Sequence, residues 1–224
     1  MSIAEQLTRA KADLDAVYEA GKAAGGGGES ANGAEVLQYA TEVTQLFYRA
    51  EFRQGYELEL NMPQASKNLN SMFRMATGIK KLTLTVPTEQ AYNAGYFFYI
   101  STVDASTIEE ITIPDGMKFT VFDNFARYCA KLTKIDGSID LSEVTSTSNC
   151  FTRCYALKEV RFVPNTIKMS ISFADCENLS DASIQSIIDG LSLEASGQTL
   201  TVHPTVAAKI TETDVTDRGW TLAY

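Results

Sequence analysis

Few side chains in this sequence have the identity and spacing that catalysis requires. The one histidine, His203, stands directly before Pro204, where a predicted strand runs into a turn. No serine, cysteine or aspartate motif accompanies it, so the sequence indicates no nucleophile or acid beside the imidazole. A structural or exposed histidine is therefore favoured over a catalytic one. We expect no enzymatic activity.

The four cysteines, Cys129, Cys150, Cys154 and Cys176, are the next candidates for chemistry. The spacing of Cys150 and Cys154 lacks the C-x-x-C geometry and the second ligand pair of a zinc site. Buried free thiols that pack as small hydrophobic groups are the favoured interpretation. The sequence leaves open whether neighbouring cysteines form disulfides.

Glycine-rich and acidic segments offer no stronger site. The run Gly25–Gly28 follows a predicted helix and lacks the Lys-Ser/Thr of a phosphate-binding loop. The acidic pairs, Glu109–Glu110 and Asp136 with Asp140, fall in turns or at outward strand positions. A solvated acidic face is favoured there over calcium binding or acid–base catalysis. We expect no metal and no cofactor.

Charge and hydropathy exclude several partners. The chain of 224 residues has 19 Lys+Arg and 28 Asp+Glu, a net charge of −9. Nucleic acid and anionic lipid both favour a basic surface, so neither is an expected partner. No segment reaches the roughly 20 apolar residues that span a bilayer, so we expect no membrane insertion. The first five residues lack the layout of a secretory signal peptide.

An aromatic stretch is the candidate binding site. It contains Tyr92, Tyr96, Phe97, Phe98 and Tyr99. Exposed Tyr and Phe are good anchors for glycans or protein partners. In the alternative interpretation, two or three of these rings fill the core of an irregular repeat.

A recurring apolar motif predicts the architecture. Its fullest form is Phe-x-x-Cys-x-x-Leu-x-x-Val-x-Phe, over residues 151–162. The phenylalanine recurs at intervals of 26, 52, 26 and 22 residues, at Phe47, Phe73, Phe125, Phe151 and Phe173. Such a period is typical of one supersecondary unit stacked on copies of itself. Cys129, Cys154 and Cys176 share one position of this repeat and are therefore expected to stack.

Each repeat is predicted to contribute a short helical turn and one strand. The residues spaced by three suit a turn that points into the stack. The alternation that follows, as in Leu82–Val86, predicts a strand that ends at a proline such as Pro87. The third copy fits least well, because its aromatic residues stand a few positions too early, and we expect an insertion loop there.

The N-terminal segment, residues 1–24, is predicted to be an amphipathic helix. Its apolar residues have the 4,3 spacing of a coiled-coil seam, at Ile3, Leu7, Ala10, Leu14 and Val17. One interpretation is a stalk that forms a homo-oligomer, and the other is a single helix packed on its own domain or on a partner. A Gly-rich linker over residues 25–34 follows.

The C-terminal region, residues 180–224, is predicted to cap the repeats of residues 35–179. Ser180 can cap a helix that ends near Gly190 and presents Ile184, Ile187, Ile188 and Leu191 on one face. Further strands are expected at Thr199–Val202 and Trp220–Leu222, with a short helix that contains Val206 and Ile210. A stack of repeats needs such a cap because its end exposes core side chains.

The repeat resembles the leucine-rich repeats of the BspA type, over roughly residues 43–204. Such repeats occur in surface proteins of bacteria and protists and in phage and prophage proteins. Residues 10–22 also resemble the head of phage-encoded proteins from gut Firmicutes that carry these repeats. Leu200–Pro204 and Gly219–Leu222 are similar to their C-terminal cap. The chain departs from them at Gly25–Gly28.

The resemblance implies an α/β, β-rich leucine-rich-repeat solenoid with parallel strands and short helical turns. It also implies a non-enzymatic virion protein associated with a phage tail, which recognises a protein or glycan on a host cell surface. The alternative is a bacterial cell-surface or secreted adhesin of the same fold. Neighbouring genes would distinguish the two.

Overall fold

The computed structural model of this chain describes residues 46–62, 65 and 67–224. The predicted N-terminal helix with its seam residues, and the Gly-rich linker, lie outside these residues. The described strands are β1 (Glu51–Asn61), β2 (Thr77–Thr85), β3 (Ala91–Asn93), β4 (Glu110–Thr112), β5 (Met117–Val121), β6 (Lys134–Asp140), β7 (Glu159–Phe162), β8 (Ile171–Phe173), β9 (Thr199–Val202) and β10 (Thr221–Ala223). The α-helices are α1 (Asp181–Gly190), α2 (Pro204–Ala207) and α3 (Glu212–Thr216), and Val103–Ala105 form a 3₁₀ helix.

The fold is α/β, with mostly parallel strands in a curled half-barrel sheet and few helices. Seven strands form the larger sheet in the order β1-β2-β4-β6-β5-β3, with β7 also paired to β6. Three strands form a second sheet in the order β10-β9-β8. Each of these strand pairs is parallel. The predicted β-rich α/β class with parallel strands is confirmed.

Alternation along the strands explains why one face of the sheet is buried. In β2, Leu82 and Leu84 are buried, whereas Thr83 and Thr85 are not. A strand directs successive side chains to opposite faces, so this period of two places one set in the core. Pro87 follows β2 by two residues, as the predicted end of the strand requires.

The sheet bends at a glycine in β6. The first part of β6, Lys134–Asp136, pairs with β4, and its last two residues, Ile139–Asp140, pair with β5. Gly137 lies between these two parts with a φ of 92°, in the left-handed region that favours glycine. A Cβ atom at this position would overlap the carbonyl oxygen of Ile113. Glycine therefore allows β6 to pass close to the backbone at Ile113 while it pairs with both β4 and β5.

The Phe-x-x-Cys/Ala segments form tight turns. The N–H of Ala76 donates to the carbonyl of Phe73 at 3.0 Å, and the N–H of Cys154 donates to the carbonyl of Phe151 at 3.1 Å. Successive turns are also joined to each other by backbone hydrogen bonds, such as Phe47 N–H to the Met72 carbonyl at 2.8 Å. The predicted short helical turns are thus present as single hydrogen-bonded turns.

Aromatic rings from successive turns pack on each other beneath the sheet. The Phe47 and Phe73 rings are stacked with centroids 5.1 Å apart, and Phe73 stacks on Phe98 at 5.2 Å. Further along, Phe151 stacks on Phe173 at 5.0 Å. Each of these rings is buried. Between these two groups, Phe125 stacks on Phe97 at 5.4 Å and on Phe122 at 4.3 Å, so rings from more than one position of the turns complete the aromatic core.

The third turn corrects one expectation. Its aromatic residues do not come too early, because Phe98 stacks on Phe73 of the preceding turn and its backbone aligns with Ala126 of the next turn. The N–H of Phe73 donates to the Phe97 carbonyl at 2.8 Å, and the N–H of Phe98 donates to the Phe125 carbonyl at 2.7 Å. The additional residues follow the turn, at the 3₁₀ helix Val103–Ala105.

The predicted C-terminal elements are largely confirmed. The Ser180 hydroxyl accepts a hydrogen bond from the Ser183 N–H at 3.2 Å, which caps α1, and the helix ends at Gly190. The predicted strand Thr199–Val202 is β9. Trp220 is buried just before β10, where its indole N–H donates to the Ser192 carbonyl at 2.9 Å. The predicted short helix is smaller than expected, since Ile210 lies beyond α2.

Candidate functional site

The structure divides the predicted aromatic binding site between the core and the surface. Tyr92, Phe97 and Phe98 are each no more than 1% exposed. These three rings fill the core, as in the alternative interpretation of the sequence, because the turn directs them inward. Tyr96 is exposed and Tyr99 is half-buried. Only these two can meet a partner directly.

Tyr92 has a structural role that its hydrogen bonds define. Its hydroxyl donates to the Pro87 carbonyl at 2.7 Å and accepts from the Gln90 side chain at 2.8 Å. Burial raises the pKa of the Tyr92 phenol above its ordinary value, with a smaller opposing effect of the Gln90 hydrogen bond. The side chain thus fixes the start of the third turn.

The outward positions of the turns carry a second, larger set of aromatic and basic residues. In the segments Phe47–Ala50, Phe73–Ala76 and Phe151–Cys154, the residues between the phenylalanine and the small residue point away from the core. One backbone conformation with positive φ recurs at these turns, for example at Arg49 (57°) and Arg153 (60°). The repeated conformation places the outward side chains of successive turns in one row.

These side chains alternate arginine with tyrosine in cation–π contact. The Arg74 guanidinium carbon lies 5.1 Å from the Tyr96 ring centroid and 5.4 Å from that of Tyr99. The Arg127 guanidinium carbon lies 5.8 Å from the Tyr99 ring centroid and 5.0 Å from that of Tyr128. We call the whole row the Arg–Tyr stripe; it consists of Tyr48, Arg49, Arg74, Tyr96, Tyr99, Arg127, Tyr128 and Arg153.

The guanidinium groups of the stripe have no carboxylate partners among the residues that the structure describes. Within residues 46–62, 65 and 67–224, no Asp or Glu oxygen lies within 4.0 Å of these four guanidinium groups. Arg127 instead donates to the Asn124 side chain at 3.1 Å. The one carboxylate that bonds to a stripe arginine is that of Asp175, which accepts from the backbone N–H of Arg153 at 2.8 Å and leaves its guanidinium without an ion pair among the described residues.

The outer face of the strands has the opposite arrangement. Residues of alternating charge are paired in register across β1, β2, β4, β6 and β7, and we call this row the ion-pair ladder; it consists of Glu57, Lys81, Glu110, Lys134 and Glu159. The Lys81 ammonium lies 2.8 Å from a Glu110 carboxylate oxygen. The hydrogen bond to Glu110, followed by its charge, raises the pKa of Lys81. Both lysines of the ladder thus have a carboxylate partner on a neighbouring strand.

The cysteines are placed as small buried groups. All four are free and fully buried. The thiols of Cys129 and Cys154 donate to the carbonyls of Phe98 and Ala126 in the preceding turns, at 3.1 Å and 3.0 Å. Burial raises the pKa of each thiol, that of Cys150 to about 12. Protonated, buried thiols are poor nucleophiles and poor metal ligands.

The other sequence candidates also have local structural contacts. The His203 ring nitrogen accepts from the Thr205 N–H at 3.3 Å at the start of α2. Glu109 pairs with Lys80, and Asp136 pairs with Lys134 and Arg161. In the part of the chain that the structure describes, no group of three or more His, Cys, Asp or Glu side chains is placed to hold a metal ion.

Comparisons with other proteins add no identification. No protein-family model, curated protein or solved structure matches this chain. Across the described ranges, no helix has both the length and the apolar character needed to cross a membrane. The function must therefore be inferred from the residues and their geometry.

Proposed function

We propose that this protein is a non-enzymatic binding protein built as a leucine-rich-repeat solenoid. The likeness of its repeat to the BspA type supports this fold, and so do the parallel strands and the turns that hydrogen-bond to one another. In such folds each unit contacts mainly its neighbours, and the result is a long, stiff surface suited to recognition.

The observation that carries the proposal is the Arg–Tyr stripe. Aromatic residues and arginine are the residue types most enriched at binding hot spots. Tyr48 and Tyr96 are 38% and 37% exposed, which is unusual for large rings in a chain whose other described aromatic side chains are mostly buried. Both are held in contact with arginine, so less side-chain entropy is lost when a partner binds.

The biological setting we propose is a phage or prophage tail, from which the protein recognises a host cell surface. The resemblance of residues 10–22 and of the C-terminal segment to phage-encoded proteins supports this setting. A bacterial surface adhesin would use the same stripe. Tail and baseplate genes beside the coding sequence would favour the first, whereas export and anchoring genes would favour the second.

Binding of the full chain to intact bacterial cells tests the proposal. Fluorescently labelled protein is incubated with a panel that includes gut Firmicutes, and binding is measured by flow cytometry. We expect saturable binding to a subset of strains, and we expect Tyr48→Ala/Tyr96→Ala to weaken it at least about fivefold, since hot-spot residues contribute more than about 1 kcal/mol each.

A matched control uses exposed apolar side chains outside the stripe. Leu193 and Tyr224 are 65% and 78% exposed, so Leu193→Ala/Tyr224→Ala removes more exposed apolar area than the stripe variant does, without touching the stripe. This variant is expected to bind like the unmodified chain. Absence of saturable binding to any strain, or equal losses in the two double variants, would contradict the proposal.

A further inference from the structure

The charge of the stripe indicates what kind of ligand fits it. Lys81, Lys134 and Arg161 of the strand face are all within 4.0 Å of a carboxylate, whereas no carboxylate of the described residues lies that close to a stripe guanidinium. A guanidinium forms strong bidentate hydrogen bonds with carboxylate or phosphate groups, in a geometry that suits its planar fork. The stripe therefore lacks the anions that its arginines would bind well.

We propose that the Arg–Tyr stripe binds an acidic polysaccharide through its carboxylate or phosphate groups. This inference rests on the proposed binding function and names the class of ligand. The arginines provide charge-assisted hydrogen bonds to the anions, and the exposed faces of Tyr48 and Tyr96 pack against sugar rings. An extended ligand of this type repeats its anions and its rings along one axis, as the stripe repeats arginine and tyrosine.

The spacing of the turns favours this ligand over nucleic acid. The arginines lie on the turns of Phe47, Phe73, Phe125 and Phe151, and neighbouring parallel strands are roughly 4.8 Å apart. The turn of Phe98 lies between the second and third of these turns and has no arginine. The four charges are thus distributed over four spacings, or roughly 20 Å. Duplex DNA has one charge per roughly 1.7 Å, a far higher charge density than that of the stripe. A polymer of lower charge density matches the stripe better.

The stripe is also organised before binding. Arg74 lies near the rings of Tyr48, Tyr96 and Tyr99, and Arg127 lies between Tyr99 and Tyr128. Ring contacts restrict a guanidinium while leaving donors at its edge for an anion. Within the described residues, the Nε atoms of Arg74 and Arg127 are buried without a hydrogen-bond partner, so the terminal nitrogens are the donors that a ligand can use.

Binding of the full chain to immobilised polysaccharides by biolayer interferometry tests the proposal. The probes are polygalacturonate, which carries carboxylates, and phosphomannan, which carries phosphates; dextran is the neutral control and poly-L-glutamate the control without sugar rings. We expect saturable binding to at least one acidic polysaccharide, weakened as salt rises. Dextran and poly-L-glutamate are expected to bind at least about tenfold more weakly.

Two double variants with equal loss of charge locate the site. We expect Arg74→Gln/Arg127→Gln to weaken binding to the acidic polysaccharide by about tenfold or more, since each charge-assisted hydrogen bond contributes substantially. Lys81→Gln/Arg161→Gln removes the same charge from the ion-paired strand face and is expected to change binding less than about twofold. Melting curves from circular dichroism are used to check that both variants are folded. A variant that keeps the charge, Arg74→Lys/Arg127→Lys, should bind with intermediate strength because it loses the planar fork.

Several results would overturn the inference. Binding to neither acidic polysaccharide excludes the ligand class, and equal binding to poly-L-glutamate shows that charge alone is recognised. Equal losses in the two Gln double variants exclude the stripe as the site. If the protein binds cells and neither polysaccharide competes with that binding, the proposed ligand class is excluded. The proposed recognition of a cell surface is then unaffected.

Discussion

The turn edge and the strand face of this protein alternate along the same chain, but their positively charged side chains have different partners. On the strand face, Lys81 is paired in register with Glu110 of the next strand, and Lys134 is paired with Glu159. On the turn edge, the group beside Arg74 or Arg127 is a tyrosine ring. Stacking holds both rows in place, but only the strand face is neutralised.

This difference separates stability from recognition. Exposed ion pairs contribute little to folding, and their main effect is to fix which strand is adjacent to which, since like charges directly opposite each other are unfavourable. Cation–π contacts hold the arginines without neutralising them. One face of the sheet can thus specify the order of its strands while positive charge stays available on the turns.

The largest expected effect distinguishes the stripe from the core beneath it. Tyr92→Ala should lower the free energy of unfolding by about 3–5 kcal/mol, because it removes a fully buried ring with two hydrogen bonds. Tyr96→Ala should cost about 1 kcal/mol or less, because its ring is exposed. Urea unfolding measures both, and similar costs would show that the stripe is part of the core.

The next effect concerns the glycine that bends the sheet behind the strand face. Gly137→Ala should destabilise the protein by about 2–5 kcal/mol, since it adds a clash with Ile113 to an unfavourable φ. Gly116 also has a positive φ, of 69°, but nothing lies within 4 Å of its Cβ position. Gly116→Ala should therefore cost only about 1 kcal/mol. Equal decreases in melting temperature for the two variants would contradict the special role of Gly137.

The smallest effect tests the difference in charge pairing directly. Arg161→Gln removes contacts of 3.6 Å with Asp115 and 3.8 Å with Asp136, and it should cost less than about 1 kcal/mol. This cost should disappear in 1 M salt, where the Debye length is about 3 Å. Arg127→Gln has no ion pair to lose, so its cost should persist in salt. Identical salt responses in urea unfolding would contradict the comparison.

Sequence reasoning predicted the elements whose signals are local. The alternation in Leu82–Val86, the proline at 87 and the cap at Ser180 each act within a few residues, and the structure contains β2 and α1 at these places. Strands β3 and β5 were not predicted, although Met117–Val121 does alternate. Neither strand coincides with the strand segment of the recurring apolar motif, and β3 has only three residues.

Apart from Tyr96 and Tyr99, the residues of the stripe were missed for a different reason. Repeat analysis follows the positions that stay constant, such as Phe73 and Ala76, and passes over the variable residues between them. The signal was nevertheless present, in Tyr-Arg after Phe47, Arg after Phe73 and Thr-Arg after Phe151. Only the backbone hydrogen bonds between turns bring these residues, some 25 positions apart in sequence, into contact.

Among the described strands, β1 is the last of the larger sheet on one side, and the ion-pair ladder limits which strand could pair with it. Its row ends on β1 with Glu57, and Glu51 and Glu59 lie on the same edge strand. A foreign strand that continued the alternation would need a lysine or arginine opposite Glu57. A second copy of β1 would instead place glutamate opposite glutamate. The charge of this strand therefore disfavours edge-to-edge aggregation of identical molecules.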